Sequence, residues 1–175
     1  MRLKRSAISN SGPLIHLAKI GMLELMKIYD VVITEDVREE VVDKGKEKGF
    51  SDAFLIDDAI KSGWIKVINV DVEDKFLKIA KVSGLHDAEI GVVYYAYKKG
   101  IIALLDDDAA RVFARGLGIT VRGSLGLILE GVKNKIISYE SAVKALDDLS
   151  EIMYLSSDVY REVLKALKKL KHQFF

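Results

Sequence analysis

Three consecutive aspartates, Asp106 to Asp108, follow an apolar run at residues 101–105 and precede a helical pattern. An apolar run of this length, with Gly100 before it, is typical of a strand buried on both faces. The aspartates therefore lie where a buried strand ends and a helix begins. Ligands of open α/β sheets bind outside the carboxyl ends of the strands. This stretch is accordingly a candidate ligand site, although the same acids could simply cap the helix and favour its dipole.

Two glutamates share a helix face with apolar residues. Glu89 precedes Val92, Val93 and Ala96 by three, four and seven positions, and Glu40 follows Val37 by three. We therefore predict that both glutamate side chains point inward from the N-terminal halves of their helices. The alternatives remain open, because Glu40 could be a solvated helix residue and Glu89 a first-turn capping acid.

Carboxylates on a core-facing surface indicate a metal site. A buried carboxylate is costly unless it is paired or binds a metal, and neighbouring carboxylates raise each other's pKa. A divalent cation relieves both costs at once. Oxygen ligands without a cysteine or histidine cluster favour Mg²⁺ or Mn²⁺ over Zn²⁺. The alternative to a metal site is a structural protein whose acids form ion pairs.

The elements that must position these acids alternate between strands and helices. Strands are predicted at 7–9, 31–33, 64–70, 101–105 and 119–121. Helices are predicted at 13–20, 22–26, 35–44, 51–62, 72–84, 87–99, 109–117, 124–133, 139–149 and 158–171, with a charged loop at 44–49. Alternation of this kind predicts an α/β fold, a three-layer α/β/α sandwich with a mostly parallel sheet. The strand at 101–105 is expected to be central, with those at 7–9 and 31–33 nearby.

Composition limits the class of protein. A chain of 175 residues, half of them apolar, predicts one domain over 1–175, with a helical C-terminal extension at about 138–175. No run of 18 or more apolar residues occurs, so we expect a cytoplasmic protein with no membrane partner. The absence of cysteine excludes disulfides, thiolate metal sites and a cysteine nucleophile. With a net charge of +1, any phosphate-binding surface must be local.

Four segments, in order and with their spacings, resemble the PIN-domain nucleases. They are SNSGPLIHLAKIG (9–21), VVITEDVREEVV (31–42), LHDAEI (85–90) and LLDDDAARVFA (104–114). The segment LGITVRGSLGLILEGVKNKII (117–137) resembles a VapC-like prokaryotic subfamily. The resemblance covers nearly the whole chain.

The resemblance assigns roles by position. Asn10 takes the place of the family's first acid, Glu40 matches the second, Glu89 the third and Asp107 the fourth. Asp87 is the alternative to Glu89, and Asp106 is either helper or ligand beside Asp107. The catalytic set implied by the resemblance is Asn10, Glu40, Glu89 and Asp107. The implied metal ligands are Glu40, Glu89, Asp107, Asp106 and Asp87.

The implied activity is metal-dependent hydrolysis of RNA phosphodiester bonds by an endoribonuclease that uses Mg²⁺ or Mn²⁺. A homodimer, and the role of toxin in a toxin–antitoxin pair with an antitoxin protein as partner, follow from the same resemblance. An acidic cleft repels RNA, so basic residues beside it must hold the strand. The candidates are Arg111, Arg115, Lys44 and Lys46.

Asn10 is the departure from the family pattern. Its amide oxygen can coordinate Mg²⁺, but it carries no negative charge and cannot act as a base. The alternative function is therefore a weak or inactive PIN-like module that binds RNA or protein. Asn10 could also be an ordinary turn residue.

Overall fold

The computed structural model describes residues 4–174, in which five strands form one parallel sheet. The strands are β1 (Arg5–Ser9), β2 (Tyr29–Thr34), β3 (Ile65–Ile68), β4 (Ile102–Leu104) and β5 (Val121–Arg122). Their order is β3-β2-β1-β4-β5, and every neighbouring pair is parallel. The middle strand is thus β1, and the prediction that the run at 101–105 is central is wrong. Apolarity could not separate the two strands, because the inner residues of both are fully buried.

Helices cover both faces of the sheet. They are α1 (Ser11–Lys19), α2 (Glu35–Arg38), α3 (Gly45–Glu47), α4 (Ser51–Lys61), α5 (Asp74–Val82), α6 (Asp87–Lys99), α7 (Asp108–Gly116), α8 (Ser124–Lys133), α9 (Tyr139–Ile152) and α10 (Ser157–Phe174). A 3₁₀ helix, Leu23–Ile28, precedes β2. On one face α6 packs against β1, β2 and β4, with α5 and α7 beside it, while α1, α4 and α8 form the other layer. The predicted α/β/α sandwich is confirmed.

Two apolar clusters form the interior. The larger lies between the sheet and its helices, and β1, β2 and β4 contribute fully buried residues to it. The smaller lies among α8, α9 and α10 and includes Ile128, Leu146 and Leu167. These last two helices occupy the region predicted as a C-terminal extension, whose final residue, like 1–3, lies outside the described residues. No helix between residues 4 and 174 is long and apolar enough to cross a membrane.

The helix after β2 departs from the sequence prediction. Thr34 caps it, since its Oγ1 accepts a hydrogen bond from the Val37 N–H at 3.2 Å. The helix then passes through a π-helical segment, Glu39–Lys44, and continues as α3 through most of the predicted loop at 44–49. The π-helical segment widens the turn, so a spacing argument based on 3.6 residues per turn fails beyond Arg38.

A close approach of two helices fixes this region. A Cβ added to Gly45 would lie 2.8 Å from the Ala53 Cβ in α4, closer than atoms of this kind pack. Because the obstructing atom is itself a Cβ, only a backbone shift could relieve the contact. Gly45 therefore lets α3 and α4 pack closely together.

We expect Gly45→Ala to lower the free energy of unfolding by about 1–2 kcal/mol, because overpacking outweighs the better helix propensity of alanine. Gly116→Ala is the matched control, since a Cβ on this helical glycine meets no atom within 4 Å. The control should leave stability unchanged or raise it slightly. Urea denaturation of both variants measures the difference, and equal stabilities would show that the 2.8 Å approach is relaxed without cost.

Candidate active site

Three strands end at the same edge of the sheet, which we call the carboxyl edge. Asn10 directly follows β1, and its backbone N–H donates to the Leu104 carbonyl of β4 at 3.0 Å. Thr34 ends β2, and Asp106 lies just beyond β4. Parallel pairing therefore brings the ends of three separate segments of the predicted site together.

Glu89 lies in the first turn of α6 and is buried, with 8% of its surface exposed. Its Oε2 accepts a hydrogen bond from the His86 N–H at 2.9 Å, which completes a capping box. Burial raises the pKa of Glu89, and the nearby negative charges of Asp107 and Glu40 raise it further. The inward orientation of Glu89 is confirmed, and so is its role as a cap.

Glu40 is exposed, so the prediction that it points inward is wrong. It lies in the π-helical segment, where the spacing of three from Val37 no longer places it on the buried face. The Ser11 hydroxyl donates to Glu40 Oε2 at 2.8 Å and ties this carboxylate to the start of α1. Glu40 therefore lies at the rim of the carboxyl edge.

Asp107 is the exposed N-cap of α7. Its Oδ1 accepts a hydrogen bond from the Ala110 N–H at 2.9 Å. The capping interpretation is confirmed for this residue. A cap also holds the carboxylate at the helix N-terminus, where the positive end of the dipole stabilises its charge.

The Asp106 side chain is 8% exposed, and protein donors engage both of its oxygens. Oδ2 contacts His16 Nδ1 at 2.7 Å and accepts from the Ser124 hydroxyl at 2.6 Å. Oδ1 accepts from the Ser124 N–H at 2.7 Å. Burial alone would raise the pKa of Asp106, but the bonds from His16 and Ser124 outweigh it and lower the pKa. Asp106 thus joins α1, β4 and α8 as a positioning residue.

Asn10 presents a polar atom without a partner. Its side chain is 8% exposed, and Oδ1 is fully buried with no hydrogen-bond donor among residues 4–174. A buried carbonyl oxygen left unpaired costs free energy, and such atoms are uncommon in native proteins. An oxygen of this kind, at the same edge of the sheet as the carboxylates, has the chemistry of a ligand to a hard cation.

The carboxylates do not form a closed metal cage as their side chains stand. Within residues 4–174, no three acidic or histidine side chains lie close enough together to hold one ion. Asp87 is exposed and pairs with Lys81 at 3.3 Å. It lines a cavity of about 380 Å³ with Glu35 and Asp36, and this cavity is not lined by Glu40, Glu89 or Asp107 within the described part of the chain.

The predicted arginines line a groove of about 560 Å³ that also reaches Asp106 and Asp108. Arg122 is a third arginine of the same groove, and it pairs with Glu130 at 3.1 Å. Arg111 donates to the Leu105 carbonyl at 2.8 Å, and its pKa is lowered by burial and by the charge of Arg115.

The two predicted lysines differ from each other. Lys44 is exposed, lies 3.8 Å from a carboxylate oxygen of Glu39 and lines a cavity of about 360 Å³ beside Glu40. Lys46 instead forms an ion pair with Asp57 and lies 5.2 Å from the centre of the Phe54 ring. Lys44 is therefore the freer of the two to contact a phosphate.

Sequence reasoning missed three residues that orient the acids: Ser11, His16 and Ser124. Ser11 follows Asn10 directly, and Ser124 opens the helix after β5, so both lie at strand ends on the carboxyl edge. Their position at strand ends could have indicated that the two serines belong to the site. For His16, no local pattern indicated its contact with Asp106, 90 positions away.

Comparisons with known proteins agree with this fold. A family model described as a PIN domain matches residues 6–169, and the chain belongs to the PIN-domain family, whose fold is of the nuclease type. The crystal structure of PAE2754 from Pyrobaculum aerophilum is similar in fold, with a TM-score of 0.50 and 17% sequence identity over 69% of this chain and 84% of that one. A search of curated proteins found no match. PIN domains in general use divalent metal ions.

We expect Asp106→Asn to lower the free energy of unfolding by about 2–3 kcal/mol at neutral pH, because it places an amide against the donors His16 and Ser124. Asp108→Asn, which changes an exposed first-turn acid, should cost less than about 1 kcal/mol. Denaturation curves at several pH values provide the measurement.

The difference between wild type and Asp106→Asn should also depend on pH. Because folding lowers the pKa of Asp106, its contribution is fully present above its ordinary value of 3.8 and is lost as the pH falls through the lower folded value. A gap that stays constant down to the most acidic pH would contradict the charged role of Asp106.

Proposed function

We propose that this protein is an endoribonuclease that hydrolyses phosphodiester bonds of single-stranded RNA with Mg²⁺ or Mn²⁺. The observation that carries the proposal is the placement of Asn10, Glu40, Glu89 and Asp107 at one edge of the sheet. Three of these are carboxylates from three separate helical segments, and each is fixed by a hydrogen bond to a protein donor.

The donor set suits a hard dication that keeps part of its water shell. Glu40, Glu89, Asp107 and Asn10 Oδ1 would hold it, and all four offer oxygen. Mg²⁺ is often bound through one or two carboxylates together with waters and substrate phosphates, so a closed cage of three acids is not required. When bound, the ion lowers the pKa of water and offsets charge on the reacting phosphate.

The surrounding residues hold this arrangement in place. Ser11 orients Glu40, while Asp106 ties the end of β4 to His16 and Ser124. The groove with Arg111 and Arg115 lies alongside and would hold the RNA backbone by its phosphates. Tyr154, 93% exposed at the same groove, offers a ring on which a base could stack.

Asn10 supports a second candidate, a PIN-like module that binds RNA or protein with little or no turnover. The amide removes one negative charge from the set, and so it weakens the hold on a dication. A homodimer, and the role of toxin paired with an antitoxin protein, remain proposals that rest on the family resemblance.

We expect Glu40→Gln, Glu89→Gln and Asp107→Asn each to slow cleavage of a labelled single-stranded RNA by about 100-fold or more. These changes remove charge but keep local structure, because Gln still completes a capping box and Asn still caps a helix. Activity should require Mg²⁺ or Mn²⁺ and stop in EDTA. Product analysis on denaturing gels gives the rates.

The matched control is Glu162→Gln, an exposed glutamate of α10, which should cleave at the wild-type rate. Thermal melts of all four variants test whether they are folded. Cleavage that persists in EDTA, or that responds equally to the site variants and the control, would refute the proposed mechanism.

Restoring the missing charge distinguishes the two candidate functions. We expect Asn10→Asp to raise the cleavage rate in Mg²⁺ by about tenfold or more, because a fourth charge strengthens the hold on the metal. Asn134→Asp, at an exposed position, serves as control. A wild type that binds but does not cleave, together with an active Asn10→Asp, would establish the binding module. No gain in Asn10→Asp would show that the amide does not limit catalysis.

A further inference from the structure

A second cavity lies at the opposite edge of the sheet, where the strands begin. It has a volume of about 620 Å³ and is lined by the first residues of β1, β2 and β3 and by the last turns of α6. We call it the amino-edge cleft and define it by the lysines Lys4, Lys27, Lys66 and Lys99 and the rings of Trp64 and Tyr95. The length of a five-residue strand, about 16 Å, separates this edge from the acids at the carboxyl edge.

The cleft concentrates positive charge on a chain whose net charge is only +1. Lys27 is already paired with Glu24 at 2.7 Å. The other three lysines are exposed, and none forms an ion pair with any residue in the range 4–174. Among the described residues that line the cleft, Asp30 is the one acid. The excess of ammonium groups favours an anionic ligand.

The two rings give the cleft a second kind of contact. Trp64 and Tyr95 are both partly exposed at its wall. Lys27 Nζ lies 5.0 Å from the centre of the Trp64 ring, and Lys99 Nζ lies 5.9 Å from that of Tyr95. Aromatic rings beside ammonium groups suit a ligand that carries both a planar base and a phosphate.

We propose that the amino-edge cleft binds a ribonucleotide. Its base stacks on Trp64 or Tyr95, and its phosphate lies among Lys4, Lys66 and Lys99. Asp30 is exposed, lines the cleft and can accept hydrogen bonds from ribose hydroxyls or a base amino group. The cavity volume falls within the range typical of small-molecule sites, about 300–1,000 Å³. The site is separate from the proposed nuclease centre and does not depend on it.

Trp64 is the only tryptophan of the chain, so its fluorescence reports on this cleft alone. Titrations in EDTA with adenosine 5′-monophosphate and with a single-stranded oligoribonucleotide of about eight nucleotides should give saturable changes in its emission. A response to the mononucleotide identifies a free nucleotide as ligand. A response to the oligonucleotide alone identifies a nucleotide within an RNA strand.

The double variant Lys66→Gln/Lys99→Gln should weaken binding by about tenfold or more and reduce its salt dependence. Lys165→Gln/Lys168→Gln, at exposed positions of α10, removes the same charge elsewhere and should bind like wild type. Glu89→Gln should also leave the fluorescence response unchanged, which separates this site from the nuclease centre.

Three results would overturn the proposal. The first is the absence of a fluorescence change with either probe, and the second is equal weakening by the cleft and control double variants. The third is binding of inorganic tripolyphosphate as tight as that of the better nucleotide probe, because the base would then contribute nothing. Thermal melts confirm that each double variant is folded.

Discussion

The mutual repulsion of carboxylates is the constraint on which the carboxyl edge depends. Glu40, Glu89, Asp106 and Asp107 lie at this edge, and each of them accepts a hydrogen bond from a protein donor. The donors come from α1, from the start of α6, from α7 and from α8. The acids are therefore held by separate elements. A shift of any one of these elements would break a hydrogen bond to a carboxylate. Such support allows the edge to keep several charges without a bound ion and still offer oxygens to one.

Asp106 and Asp107 are adjacent in sequence, but their different environments give them different roles. Asp106 is nearly inaccessible and has both oxygens bonded to His16 and Ser124, so its pKa is low and its orientation is fixed. Asp107 is exposed and makes its cap through Oδ1. A ligand can therefore reach Asp107 without disrupting the fold, whereas it would have to displace protein donors to reach Asp106.

Much of the fold followed from patterns that act over a few residues. Thr34 caps the helix predicted from residue 35, Gly100 in the left-handed region ends the helix predicted at 87–99, and Glu89 is buried as predicted. The predictions failed where contacts between distant parts of the chain determine the backbone conformation or the orientation of a side chain. Gly45 and Ala53 approach closely beside the π-helical segment, and that segment turns Glu40 outward. Contacts such as that of His16 with Asp106 join distant parts of the chain, and helical periodicity cannot detect them.

The opposite charges of the two edges follow from the topology. In a parallel sheet each crossover helix begins where a strand ends, so helix N-termini gather at the carboxyl edge and C-termini at the other. The helix dipole then favours acids at the first edge and lysines at the second, and α6 accordingly begins with Asp87 and Glu89 and ends with Lys98 and Lys99. Charge alone is therefore weak evidence for a site at either edge. The dipole does not account for the buried Oδ1 of Asn10, which accepts no hydrogen bond from residues 4–174, or for the aromatic rings within the cavity at the other edge.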